Sequence, residues 1–265
     1  MPLHNFSPDR PVLLVPDVHQ DLRFLENAIA LAQKEAAALC FLGDFVDGLN
    51  ARWHTAAALK AIASQLAEVA QTHPHGCVIL AGNHDVSALT LARLRARLLL
   101  EGNTSKLTQL DSTLPAATAY TELLRLWPTS FLKTWQIATI AHGFLLSHAG
   151  VSRRYWPWSA APDTERQTTI FLKASEDSWQ NWLRDGTEDL FFAVGPARGG
   201  RNAPVGGPLW LDWDAEFVDD LPLPQAVGHT RAKDVRHKDR SWCLDATQTH
   251  VGLLHPDFGL RAVRV

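Results

Sequence analysis

The chain has 265 residues, 46% of them hydrophobic and 20% charged, with a formal net charge of −3 and a pI near 6.4. These values suit a globular enzyme with a sizeable core, and without a basic excess no general nucleic-acid binding is expected. No apolar run approaches the roughly 18–20 residues that cross a bilayer, and residues 1–10 lack the basic start and apolar stretch of a signal peptide, so a cytoplasmic enzyme with no membrane partner is expected.

Val12–Val15 reads as a buried strand, and Asp21–Lys34 carries helical periodicity through Leu22, Leu25, Ile29 and Ala32. A second strand follows at Ala38–Leu42, a helix at Ala56–Gln71, a third strand at Cys77–Ala81 and a helix at Ser87–Leu100. This alternation predicts a mostly parallel sheet with helices on its faces. Lys106–Thr134 reads as helical pieces broken by Pro115 and Pro128. Ile137–Ile140 and Phe144–Ser147 read as strands around a turn at His142-Gly143, so His142 is taken as structural. Pro162–Phe192 is again helical, and Trp156, Trp158, Trp179 and Trp182 of the insertion around it are expected to form the core of a small cap rather than a substrate cage. Gly195–Pro208, rich in Gly, Pro and Arg, must be a loop. Short strands at Ala226–Gly228, Ser241–Asp245, Thr249–Leu254 and Gly259–Val265 suggest an antiparallel end to a mixed sheet. The chain is read as a single domain over 1–265, with helical insertions near 104–134 and 152–194. Cys40, Cys77 and Cys243 lack metal-ligand spacing and are odd in number, which predicts buried thiols rather than a disulfide framework.

Five short blocks stand at the ends of strand-like runs: Asp17-Val18-His19, Gly43-Asp44-Phe45-Val46-Asp47, Gly82-Asn83-His84-Asp85, Ser147-His148-Ala149-Gly150 and Gly228-His229-Thr230. A sheet can aim all of them at one point. Just past a strand end, Asp17 and His19 can share one metal. Asp44 can bridge two cations, because each carboxylate oxygen can take one. Asn83 offers a neutral amide oxygen, His84 is free for proton transfer, and Asp85 is read as a helix cap. His148 and His229 arrive beside glycines that let the backbone approach closely. Counted this way, one site takes Asp17, His19 and Asp44, completed from the side of His229 or by water. The other takes Asp44, Asn83, His148 and His229. An O/N set without thiolates suits two divalent ions, manganese first, with iron, zinc or cobalt as alternatives. Two such ions about 3.5–4 Å apart are a recurring device of phosphatases.

These blocks resemble the motifs of the calcineurin-like metallophosphoesterase superfamily, and more narrowly its bacterial phosphoprotein-phosphatase branch, which also holds the symmetrical diadenosine tetraphosphatases. The resemblance runs from about Asp17 to Thr230. It implies an α/β fold, a four-layer α/β/β/α sandwich of two mixed sheets with a helical insertion. It also implies that Asp44 bridges the metals, that His84 is the general acid and that Asp47 orients it. Where protein phosphatases carry a phosphate-binding Arg after the second Asp, this chain has Gly48; Arg52 is the nearest Arg. The stretch from Gly195 to Trp210 resembles a segment that supplies such an Arg in some bacterial members, and Arg198 is favoured there over Arg201.

The expected activity is metal-dependent hydrolysis of phosphomonoesters, with phosphoserine/threonine proteins as one substrate class. A nucleotide hydrolase cleaving diadenosine polyphosphates is the alternative, and a metal-free interaction scaffold on the same fold is the alternative outside enzymes. The partner is therefore a phosphorylated substrate, a phosphoprotein or a nucleotide.

Overall fold

The computed structural model describes residues 6–47, 55–114, 116–161 and 163–265. Its elements run β1 (Val12–Val15), α1 (Leu22–Lys34), β2 (Ala38–Phe41), α2 (Ala56–Thr72), β3 (Cys77–Ile79) and α3 (Asn83–Leu100). Four short helices follow, α4 (Thr104–Thr113), α5 (Ala116–Tyr120), α6 (Leu123–Leu126) and α7 (Thr129–Leu132). Then come β4 (Ala138–Ala141), β5 (Phe144–Ser147), α8 (Thr164–Asp185), β6 (Gln225–Val227), β7 (Arg236–Lys238), β8 (Ser241–Cys243), β9 (His250–His255) and β10 (Gly259–Arg264).

Among the described residues the strands form two mixed sheets of five, in the orders β10-β9-β1-β2-β3 and β4-β5-β6-β8-β7. Alternation along β1 and β2 explains the layering. Leu13, Val15, Leu39 and Phe41 face the helices and pack with Leu25, Ile62 and Leu66. Val12, Leu14, Ala38 and Cys40 face the other sheet and meet Leu146, Ala226 and Leu244. Both faces of these strands are buried, which is why they read as continuous apolar runs. Truncating a residue between the sheets, as in Leu14→Ala, removes contacts on a face with no room to collapse, at a cost of about 2–5 kcal/mol.

Capping fixes the helix starts. Phe24 N donates to Asp21 Oδ1 at 3.0 Å and Ala58 N to Thr55 Oγ1 at 3.1 Å. α8 stops at Asp185, short of the expected Phe192, because Gly186 takes the left-handed conformation at φ 78° and turns the chain out of the helix. Trp156, Trp179 and Trp182 are buried in the packing around this helix.

The structure differs from expectation at three further places. α3 begins at Asn83 rather than Ser87, so the third block is the first turn of a helix and not a loop before it. The tail is not one antiparallel end. β9 and β10 join the first sheet beside β1, while β6 lies parallel to β5 and β8 in the second. β7 escapes a sequence reading because Arg236-His237-Lys238 is polar throughout; it is an edge strand and needs no buried face.

Candidate metal centre and catalytic cleft

The first three blocks leave the ends of β1, β2 and β3 in one sheet, and the last two leave β5 and β6 in the other. They meet at a cleft of about 410 Å³ lined by His19, Asp44, Asn83, His84, Arg198 and His229, among others. The backbone is strained to achieve this. His19, Gln20, Asp44, Asp47 and His229 all have positive φ, between 44° and 66°, which is unfavourable for residues with a Cβ and costs on the order of 1 kcal/mol or more each. Gly82 and Gly228 are required for a different reason: a Cβ on either would lie 2.1 Å from a carboxylate oxygen, of Asp44 and of Asp17 respectively.

Three side chains converge beside the Asp44 carboxylate, His148 and His229 from the second sheet and Asn83 from α3. His148 Nε2 lies 2.9 Å from Asn83 Oδ1, 3.1 Å from His229 Nδ1 and 3.3 Å from Asp44 Oδ2. One N–H cannot serve three acceptors, whereas a cation at their centre would serve every one. The other nitrogen of His148 is anchored 2.8 Å from the Leu42 carbonyl, which fixes the ring as a ligand needs. His229 Nε2 is buried with no partner, an orphaned polar atom at the wall of the cleft.

On the other side of Asp44, His19 Nε2 stands 3.8 Å from Asp44 Oδ2 and 3.9 Å from Asp17 Oδ1. These gaps are too long for hydrogen bonds, but they approach the roughly 3–4 Å that separates two ligands of one ion. His19 Nδ1 is held at 3.1 Å by the carbonyls of Val46 and Asp47. The side chains therefore form two groups, His19–Asp44–His84 and Asp44–His148–His229, with Asp44 common to both. Asp17 sits just outside the tighter group, its two oxygens accepting the His229 N–H at 3.1 and 2.9 Å. The donor set is oxygen and imidazole nitrogen only, and it fits two divalent cations.

By themselves the side chains polarise one another strongly. Burial pushes the Asp44 carboxyl up, but the charge and bond of His148, then His84 and His19, outweigh it and hold it well below the usual carboxylate range. Burial works against the His148 imidazolium, yet Asp44 raises it to about 9. Burial and the neighbouring His148 press His229 well below its ordinary value. At His84, burial is overcome by the Asp47 hydrogen bond and the Asp44 and Asp47 charges, raising it to about 9.

His84 and Asp47 form a pair at the cleft: His84 Nδ1 is 2.7 Å from Asp47 Oδ2, and both are partly exposed. The Tyr120 hydroxyl, from α5, bonds to the same Asp47. His84 N donates to Asp44 Oδ1 at 2.9 Å, tying the acid candidate to the shared carboxylate. Asp85 does more than cap α3. Its carboxylate accepts from Gly82 N at 3.0 Å, Asp44 N at 2.8 Å and Phe45 N at 2.9 Å, so it fastens the second block to the third. Burial and the Asp44 charge push it up to about 7 while those N–H groups pull the other way.

Arg198 reaches the cleft from a short turn, Pro196–Arg198, in the Gly-rich loop. Arg201 is exposed and does not line the cleft. Arg52 and Gly48 lie outside the described residues. His142 bonds the Arg10 carbonyl through Nε2 at 2.7 Å, a structural contact away from the site. Sequence reasoning missed Trp210, Asp212, Thr230, Arg231 and Asp245, which also line the cleft. Asp245 carried a usable signal, since it follows the apolar run Trp242–Leu244 as the other blocks follow theirs.

The profile of the calcineurin-like phosphoesterase family matches residues 10–230, most of the chain and all five blocks. The chain belongs to the calcineurin-like phosphoesterase family. It is therefore a phosphoesterase, a hydrolase by class. Among solved structures it is similar to a cold-active protein tyrosine phosphatase, at 15% identity and a TM-score of 0.51, covering 98% of this chain and 82% of that one. A protein serine/threonine phosphatase from Saccharomyces cerevisiae matches at 15% identity and a TM-score of 0.48, over 98% of this chain and 81% of the other. A protein ascribed diadenosine tetraphosphatase activity matches at 17% and 0.49, over 98% and 95%. At 15% identity the match at a TM-score of 0.51 shows the fold, the α/β sandwich of two mixed sheets, and not the substrate. No curated protein sequence matches the chain. Among the described residues, no helix is long and apolar enough to cross a membrane.

Proposed function

We propose that this phosphoesterase holds two divalent cations and hydrolyses phosphomonoesters, with phosphoserine/threonine proteins as the leading substrate class. Residues 1–265 are read as one catalytic domain, with α4–α7 and the segment containing α8 as insertions. The observation that carries the proposal is the Asp44 carboxylate at one cleft, with His148 and His229 grouped on one side and His19, beside Asp17, on the other. Asp17, His19 and Asp44 would hold one cation, and Asp44, Asn83, His148 and His229 the other; manganese is the leading candidate, with iron, zinc or cobalt also compatible with such an O/N set. When bound, the cations supply Lewis acidity and lower the pKa of water toward neutrality.

The chain's own groups do the rest. Asp47 occupies His84 Nδ1 at 2.7 Å, which leaves Nε2 as the nitrogen that holds a proton for the leaving oxygen. Arg198 faces the cleft with a guanidinium suited to phosphoryl oxygens. Trp210 stands against His229, ring centroids 6.1 Å apart, and gives the wall an aromatic face that favours the second reading, a nucleotide hydrolase acting on diadenosine polyphosphates.

The test is a panel of phosphopeptides and dinucleotide polyphosphates assayed with manganese and after chelation. The proposal expects metal-dependent release of phosphate from phosphoserine or phosphothreonine peptides. Turnover confined to the dinucleotides would transfer the assignment to the second reading. Undiminished turnover after complete metal removal would sink both.

A further inference from the structure

Arg198 is not a free arm in a loose loop. Its Nε lies 2.9 Å from Asp212 Oδ2, an ion pair in which the N–H is not aimed straight at the oxygen. Its Nη2 donates to Thr230 Oγ1 at 2.8 Å. Nε and Nη2 make up one edge of the planar guanidinium. The end edge, formed by Nη1 and the second hydrogen of Nη2, has no bond to the described residues, and Arg198 lines the cleft. Asp212 is itself held. Its Oδ1 accepts from Asp214 N at 2.9 Å and Ala215 N at 2.8 Å. Its own N–H bonds to Glu216 Oε2, and Glu216 also takes the N–H groups of Ala197 and Gly206 at the two ends of the Arg198 loop.

We infer that Asp212 is a positioning residue that sets the orientation of Arg198 for a phosphoryl group. A carboxylate on the rim of an anion-binding cleft is unfavourable for the anion by simple charge. Its placement is explained if it occupies the side edge of the guanidinium and presents the end edge for two parallel bonds to phosphoryl oxygens. An Arg pinned this way has already given up rotamer freedom that an unpinned one must surrender at each binding event. The inference rests on the reading of Arg198 as the phosphate-binding residue.

The experiment measures binding of inorganic phosphate to the manganese-loaded full chain by titration calorimetry, beside kcat and KM. Asp212→Asn keeps a carbonyl for the Asp214 and Ala215 N–H groups and turns an amide toward Arg198. Asp212→Ser keeps a capping oxygen that cannot reach the guanidinium. Both should weaken phosphate binding roughly tenfold, with metal content and melting temperature near those of the parent. In an Arg198→Ala background neither should weaken it further. Equal or tighter phosphate binding by Asp212→Asn overturns the inference, because the carboxylate would then act as a competing anion. A loss that persists in the Arg198→Ala background overturns it too, by showing a role in the loop rather than in Arg198. If Arg198→Ala alone binds phosphate like the parent, the reading of Arg198 fails first and the inference falls with it.

Discussion

Asp85 is buried, and the cost of removing its carboxylate can be worked from three bonds. It accepts from Asp44 N at 2.8 Å, Phe45 N at 2.9 Å and Gly82 N at 3.0 Å, all inside the protein. A buried N–H left without an acceptor costs about 1–3 kcal/mol. Asp85→Ala leaves all three N–H groups without an acceptor, so roughly 4 kcal/mol or more of stability should be lost even if water recovers part of the deficit. In Asp85→Asn the amide oxygen can keep the two bonds at the Oδ2 position, while its NH₂ faces Phe45 N; one bond is lost, at about 1–3 kcal/mol. For a chain near this size 1 kcal/mol moves the melting temperature by about 2–4 °C, so Asp85→Ala should melt roughly 8–16 °C lower. Urea unfolding at a fixed manganese concentration gives the free energies, and calorimetry gives the melting points. The same N–H groups orient the backbone of Asp44, so manganese affinity should fall alongside stability. An Asp85→Ala protein within about 1 kcal/mol of the parent would show that these bonds do not hold the second and third blocks together.

Three other substitutions test the site. Asp44→Asn damages both ligand groups at once and should remove most metal and most activity, as elemental analysis of purified protein would record; full occupancy would refute the shared-ligand assignment. His84→Asn should retain metal and fold but lose about 10²–10⁴-fold in rate, less with nitrophenyl esters, whose leaving group needs no proton. An equal loss on alkyl and nitrophenyl esters would exclude the acid role. Asp47→Asn removes the partner that raises His84. Activity that needs protonated His84 is lost as pH rises through its pKa, so the alkaline limb of the rate profile should move to lower pH, and an unmoved limb would mean that Asp47 acts elsewhere.

Much of this architecture was legible because β1, β2 and β5 are short, apolar and followed closely by polar residues. Almost wholly buried, they cannot be mistaken for loops, and just past each comes a candidate metal ligand, Asp17, Asp44 and His148. The start of α3 was not legible, because the cap at Gly82 is supplied by an acid three residues later, and Asp85 reaches sideways to Asp44 as well as back. Nor could spacing reveal Asp212. Its contact with Arg198 spans a loop of glycines and prolines that imposes no period on the sequence. Of the four tryptophans of the 152–194 stretch read as packing, Trp156, Trp179 and Trp182 are buried, whereas Trp158 is exposed; the one at the cleft, Trp210, lies outside that stretch.

β1, which delivers Asp17, is sandwiched between β2 and β9, and Asp17 in turn holds the backbone N–H of His229, 212 residues further along. During synthesis, at roughly 5–20 residues per second, the first three blocks wait many seconds for the fifth, and longer for the strand that flanks β1. Until then three acidic and imidazole-bearing segments stand without the scaffold that spaces them. If the site holds cations as proposed, their ordered capture would be a late event in the life of each molecule and would register that both sheets have docked. A chain nicked between β6 and β9 would keep every candidate ligand in its sequence while loosening the strand that flanks β1, so cation affinity would report the integrity of the whole fold as well as the state of the cleft.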